Sequence, residues 1–129
     1  MKMILVRGYE RVHDYINGAD KLVERNYSLF TEREGRYYKD GVEISGGKEG
    51  VSKALNETKE RYKRGMLIPK LIEMKGEDGV REVLNWEEHR KEYNKYYHYA
   101  DDRRCYETEK AEYELACNRI AECKACLGE

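Results

Sequence analysis

From Asn85 to Leu127 the chain contains neither proline nor glycine. A run of that length without a helix breaker narrows what the chain can fold into, because those two residues are the usual interruptions of a helix. Asn85 can cap a helix and Glu88 follows three residues later, as in a capping box. Trp86, His89, Tyr93, Tyr96 or Tyr97 and Ala100 fall at helical spacing. Tyr99, Tyr106, Tyr113, Ile120 and Leu127 recur every seven residues. The stretch is expected to form one helix of roughly 60 Å, from the rise per residue, or two helices broken near Asp101-Asp102.

The first 84 residues carry a mixed pattern. Met3 to Val6 is expected to be a strand. Tyr9, Val12, Ile16, Ala19 and Val23 follow a helical period, so a helix over 9–24 is expected, with a break at Gly18. Tyr27, Leu29 and Thr31 alternate with polar residues, and Glu34-Gly35 and Asp40-Gly41 are turn signals, so 26–45 reads as a hairpin or three-stranded meander. A second helix is expected over 48–64, with Val51, Leu55, Thr58 and Tyr62 as its inner stripe and Gly65 as a left-handed cap. Residues 66–74 read as an edge strand because of Pro69, pairing in a second hairpin with Val80 to Leu84. The expected class is α+β: a small antiparallel sheet of two hairpins, two shorter helices and a long C-terminal helical arm. The small domain spans 1–84 and the arm 85–129, as a single structural domain overall.

Charge balance excludes some functions. There are 25 basic and 26 acidic residues, so a binder held to nucleic acid by phosphate contacts alone is not expected, nor is an acidic nucleic-acid mimic. No apolar run is long enough to span a membrane, and the N-terminal run is too short for a signal peptide. A cytoplasmic protein with reduced thiols is expected. Cys117, Cys123 and Cys126 with Cys105 invite a zinc reading, but only Cys123 and Cys126 have the close spacing of a ligand pair, so packing thiols are expected and no metal. Histidine, cysteine and carboxylate residues show no catalytic arrangement, and no enzyme activity and no cofactor are expected.

Two surfaces stand out. Ser45-Gly46-Gly47-Lys48 lies between a predicted strand and a predicted helix, where backbone N–H groups can meet a phosphate. It resembles the opening of the PP-loop of ATP pyrophosphatases, Ser-Gly-Gly-x-Asp-Ser, and departs from it at Glu49 and Gly50. That family needs a doubly wound parallel sheet, which the strand pattern here does not supply. With Arg61 and Arg64, in the basic cluster that ends the same helix, these residues form a candidate nucleotide site. The second surface is the arm: Tyr93, Tyr96, Tyr97, Tyr99, Arg103, Arg104 and Tyr106 mix rings with cations, the composition of interface hot spots. Tyr93, Tyr96, Tyr97 and Tyr99 cannot all face one side of a helix.

The expected function is therefore a small non-catalytic binding protein that occupies a protein target through the Tyr-rich arm and a hairpin edge. In size, charge and missing chemistry it resembles small phage-type inhibitors of host defence such as anti-CRISPR proteins. The alternative is an oligomer that sequesters a nucleotide at Gly46-Gly47-Lys48. Cys117, Ile120, Cys123 and Leu127 are the residues expected to meet a second copy.

Overall fold

A computed structural model describes residues 1–95 and 103–129. The chain order is β1 (Lys2–Asp14), β2 (Ala19–Arg33), β3 (Arg36–Lys39), β4 (Val42–Ile44), α1 (Gly47–Arg64), β5 (Ile68–Met74), α2 (Gly76–Asn94) and α3 (Arg103–Cys126). It is an α+β protein. Its five strands make one sheet in the order β4-β3-β2-β1-β5, and the paired strands β1–β2, β1–β5 and β2–β3 are antiparallel.

Contacts divide the chain into two units: 1–39 with 43–74, and 40–42 with 75–129. The meander expected over 26–45 is present, with its turns at Glu34-Gly35 and Asp40-Gly41. The helix expected over 48–64 is also present as α1. Alternation along β1 and β2 sends Ile4, Val6 and Phe30 to one face, where Val6 and Phe30 meet Tyr62 and the half-buried Ile4, Ile44, Ala54, Leu55 and Leu67 pack around them. Ser28 shares that face, and its hydroxyl lies 2.9 Å from the Tyr62 hydroxyl, which settles the polar end of a buried ring. Met3, Leu5 and Leu29, on the opposite face, are fully withdrawn from solvent.

The helix expected over 9–24 does not form. Residues 9–14 continue β1 and residues 19–24 belong to β2, closed by the turn at 15–18. The helical spacing of Tyr9, Val12 and Ile16 was coincidental. Asn17-Gly18, read as a break, is where the hairpin turns. Gly65 is not the left-handed cap either. Its φ is −82°, and Met66 takes the left-handed conformation at φ 61°. Two backbone N–H groups finish the helix there, Gly65 to the Arg61 carbonyl and Met66 to the Lys63 carbonyl.

β5 lies where Pro69 implied, at the sheet edge, but it pairs with β1 and not with residues 80–84. Those residues are helical. In the second unit α2 starts at Gly76, nine residues before the expected cap at Asn85, and packs along α3. The inner side of α2 is Val80, Val83, Leu84 and Glu87, a 3.6-residue period and not the strand alternation expected from Val80, Glu82 and Leu84. His89, expected on a packed stripe, is exposed together with Tyr93. α2 ends at Asn94 and α3 begins at Arg103; the break expected near Asp101-Asp102 lies outside the described residues. No helix among the described residues is long and apolar enough to cross a membrane.

Candidate functional site

β1 and β2 are longer than the rest of the sheet. β5 pairs only as far as Tyr9, and β3 pairs only with Phe30–Arg33. From Glu10↔Val23 to Asp14↔Ala19 the two strands pair with each other alone. At about 3.3 Å per residue this two-stranded ribbon is about 17 Å long. Cross-strand charges hold it. Arg25 Nε donates to Glu10 Oε2 at 2.6 Å, and His13 Nδ1 lies 3.0 Å from Asp20 Oδ1.

The turn at the end of the ribbon is fixed by one carboxylate. Asp14 Oδ1 accepts from the backbone N–H of Ile16 at 3.0 Å and of Asn17 at 3.2 Å, and Oδ2 accepts from the Asn17 side-chain amide at 2.8 Å. The N–H of Gly18 closes the loop on the Asp14 carbonyl at 2.8 Å. These bonds, led by those from Asn17, hold the Asp14 carboxyl below its ordinary value. Nothing in this turn hides its two large side chains: Tyr15 is 89% exposed and Ile16 is 94% exposed. The His13 ring meets the Tyr15 ring edge-on with centroids 4.7 Å apart, which gives the tyrosine a preferred side. Two large apolar side chains thus stand in solvent on an ordered turn.

Charge on the ribbon is balanced. Arg11, Lys21 and Arg25 face Glu10, Asp14, Asp20 and Glu24. A nucleic-acid ribbon would carry an excess of cations. The sequence signals available for this site were Asn17-Gly18 and the adjacent Tyr15-Ile16, two apolar residues inside a polar stretch. Both lie inside the stretch where helical spacing predicts a helix.

Of the tyrosines expected at an interface, Tyr93 is 85% exposed on α2. Tyr96, Tyr97 and Tyr99 lie outside the described residues. Arg103, Arg104 and Tyr106 belong to the first turns of α3, and their side chains likewise lie outside what is described.

The candidate nucleotide site does not assemble. Ser45, Gly46, Gly47 and Lys48 are at the start of α1, whereas Arg61 and Arg64 are in its last turn. Fourteen residues of helix from Gly47 to Arg61 put about 21 Å between them. Arg61 instead reaches the Ser28 hydroxyl at 3.4 Å. The glycines have a geometric reason: a Cβ on Gly50 would sit 1.9 Å from the Ser45 carbonyl oxygen, so the strand-to-helix turn folds tightly on itself.

Cys117, Cys123 and Cys126 are free thiols. Cys123 is fully buried, and burial pushes its thiol up to about 12, helped by Cys126 and Glu87 nearby. A thiol held neutral in this way is a poor metal ligand. Among the described residues no group of histidine, cysteine and carboxylate side chains is placed to hold a metal ion. Ile120 and Cys123, expected against a second copy, are buried within the single chain.

A chain of charges that no motif in the sequence announces, buried at Arg119 and Glu87, runs through the second unit. Arg119 is 1% exposed; its Nη1 donates to Glu87 Oε1 at 3.1 Å and its Nε to Asp40 Oδ1 at 2.8 Å. Arg90 Nε lies 3.4 Å from Glu87 Oε2, and its Nη1 donates to Glu112 at 2.9 Å. Burial raises the Glu87 pKa, against the pull of Arg119 and Arg90. Arg119 and Glu87, buried and bonded to each other, read as structural. Comparison of the chain with protein-family models, with characterised proteins and with solved structures gave no match.

Proposed function

We propose that this protein is a non-catalytic binding protein that occupies a protein target, with the tip of the β1–β2 ribbon as its anchor. The observation that carries this reading is the pairing of a turn ordered by Asp14 with two almost wholly exposed apolar side chains, Tyr15 and Ile16. A preformed turn loses little entropy on binding, and a tyrosine that fills a pocket is a typical hot spot. The balanced charge of the ribbon favours protein over nucleic acid. Tyr93 on α2 offers a second exposed ring, so the arm keeps a part in the interface.

The biological role that this chemistry suits is obstruction: a small inhibitor, of the phage-type anti-defence kind, that acts in the cytoplasm by filling a pocket its target needs. The test replaces Tyr15 and Ile16 together by serine and compares capture and affinity with the unaltered protein. Binding should weaken by about 2 kcal/mol or more, the scale of a hot spot, while the melting temperature holds. A captured target that binds the variant equally well ends the assignment to the ribbon. If Tyr93→Ala alone abolishes binding, the site moves to the arm.

A further inference from the structure

The first unit contains a half-open apolar cleft of about 170 Å³ between α1 and the sheet. Its walls are Ile4 and Phe30 from the sheet, Tyr37 and Ile44 from the meander, and Val51 and Leu55 from the first half of α1. An apolar cavity of about 150 Å³ accepts a benzene ring, so a benzyl or branched aliphatic side chain matches this one in size.

The rim is not apolar. Lys2 and Glu32 also line the cleft and are direct partners in the β1–β2 register. Alternation puts them on the same face as Ile4 and Phe30. Directly opposed residues bring their Cβ atoms within about 5 Å, yet among the described residues neither side chain takes part in a hydrogen bond or ion pair. Among the described residues, one ammonium and one carboxylate thus occupy opposed register positions at the rim of an apolar pocket, neither of them paired.

We propose that this cleft binds a free apolar α-amino acid. The ligand carboxylate meets the Lys2 ammonium, the ligand ammonium meets the Glu32 carboxylate, and the side chain enters between Phe30 and Leu55. A simple anion or cation would satisfy only one of the two rim charges and face repulsion from the other. A zwitterion with an apolar substituent satisfies the rim and the interior together. The site is separate from the ribbon tip and stands or falls independently of it.

The test is a nuclear magnetic resonance titration of the full chain with L-phenylalanine. N-acetyl-phenylalaninamide, which keeps the ring and loses both charges, and L-serine, which keeps the charges and loses the ring, are the controls. L-phenylalanine should shift the amide signals of Phe30, Val51 and Leu55, and each control should bind at least roughly tenfold more weakly, the equivalent of one lost interaction of 1.4 kcal/mol. Glu32→Gln and Lys2→Gln, both at the rim, should reproduce that loss with an unchanged melting temperature, and Val51→Phe should abolish binding by filling the space. Absence of any shift with L-phenylalanine overturns the proposal. Equal binding of N-acetyl-phenylalaninamide overturns it too, since the rim charges would then play no part.

Discussion

Among the described residues Arg119 has the largest side chain of those fully withdrawn from solvent, and it meets two carboxylates. Removing one member of a buried ion pair leaves the other uncompensated, which costs more than the pair itself contributes. Arg119→Met should therefore destabilise the protein by about 3–5 kcal/mol in denaturant unfolding, and adding Glu87→Leu should restore much of the loss. A double variant as weak as the single would show that Glu87 is not the charge left stranded. Cys123 makes a second prediction. Its thiol keeps its proton up to about 12 in the fold, against 9.0 ordinarily, so the folded state binds the proton more tightly than the unfolded chain. That contribution to stability is complete below pH 9 and is lost as pH rises from 9 towards 12. Alkylating reagents at neutral pH should modify Cys117 and Cys126 while Cys123 reacts only on unfolding, as peptide mass mapping would report. Asp14 behaves in the opposite sense. Its carboxyl titrates below its ordinary value of 3.8, so its contribution is present above that pH and is lost as pH falls through the lower folded value. Asn17→Ala should return the Asp14 titration towards 3.8.

The ribbon obeys different rules from the sheet it grows out of. Residues 10–14 and 19–23 pair only with each other, and most of them are exposed. Their amide hydrogens should exchange well before those of Met3–Val6, where β1 has partners on both sides. Equal protection along the whole of β1 would contradict this. The same exposure explains why the ribbon was illegible from sequence. A strand with one buried face announces itself by alternation, but here neither face is buried, and the few apolar residues happened to fall at helical intervals. The meander over 26–45 was legible because Leu29 and Thr31 do have a buried face and because Glu34-Gly35 and Asp40-Gly41 mark its turns. α1 was legible for the same kind of reason: Thr58 and Tyr62 are its buried residues, on the stripe that the spacing indicated. On α2 the true inner stripe includes a charged residue, Glu87, and the apolar residues Val80, Val83 and Leu84 were too few to separate helix from strand.

At the scale of the whole molecule, chain order and contact order part company. The three residues Asp40–Val42 cluster with 75–129 although they form the β3–β4 turn and the first residue of β4. A Cβ on Gly41 would lie 2.6 Å from the Asn118 carbonyl oxygen, and Asp40 accepts from Arg119. A fragment of residues 75–129 lacks that carboxylate and that close approach, so its helical signal should melt less cooperatively and at lower temperature than in the full chain; an unchanged melt would mean that Asp40 is dispensable. No sequence pattern could have paired Asp40 with Arg119 in a chain with 26 acidic and 25 basic residues. Net charge −1 brings one more expectation: binding through the ribbon should change little between low and high salt, as an isothermal titration series would show. The self-paired ribbon also bears on how such a protein changes over generations. Its tip can be rewritten without touching any residue the core depends on, so a target that alters its surface can be followed by substitutions at two or three positions. Variation among descendants of this chain should collect at 15–16, and the conserved record of the fold should lie elsewhere.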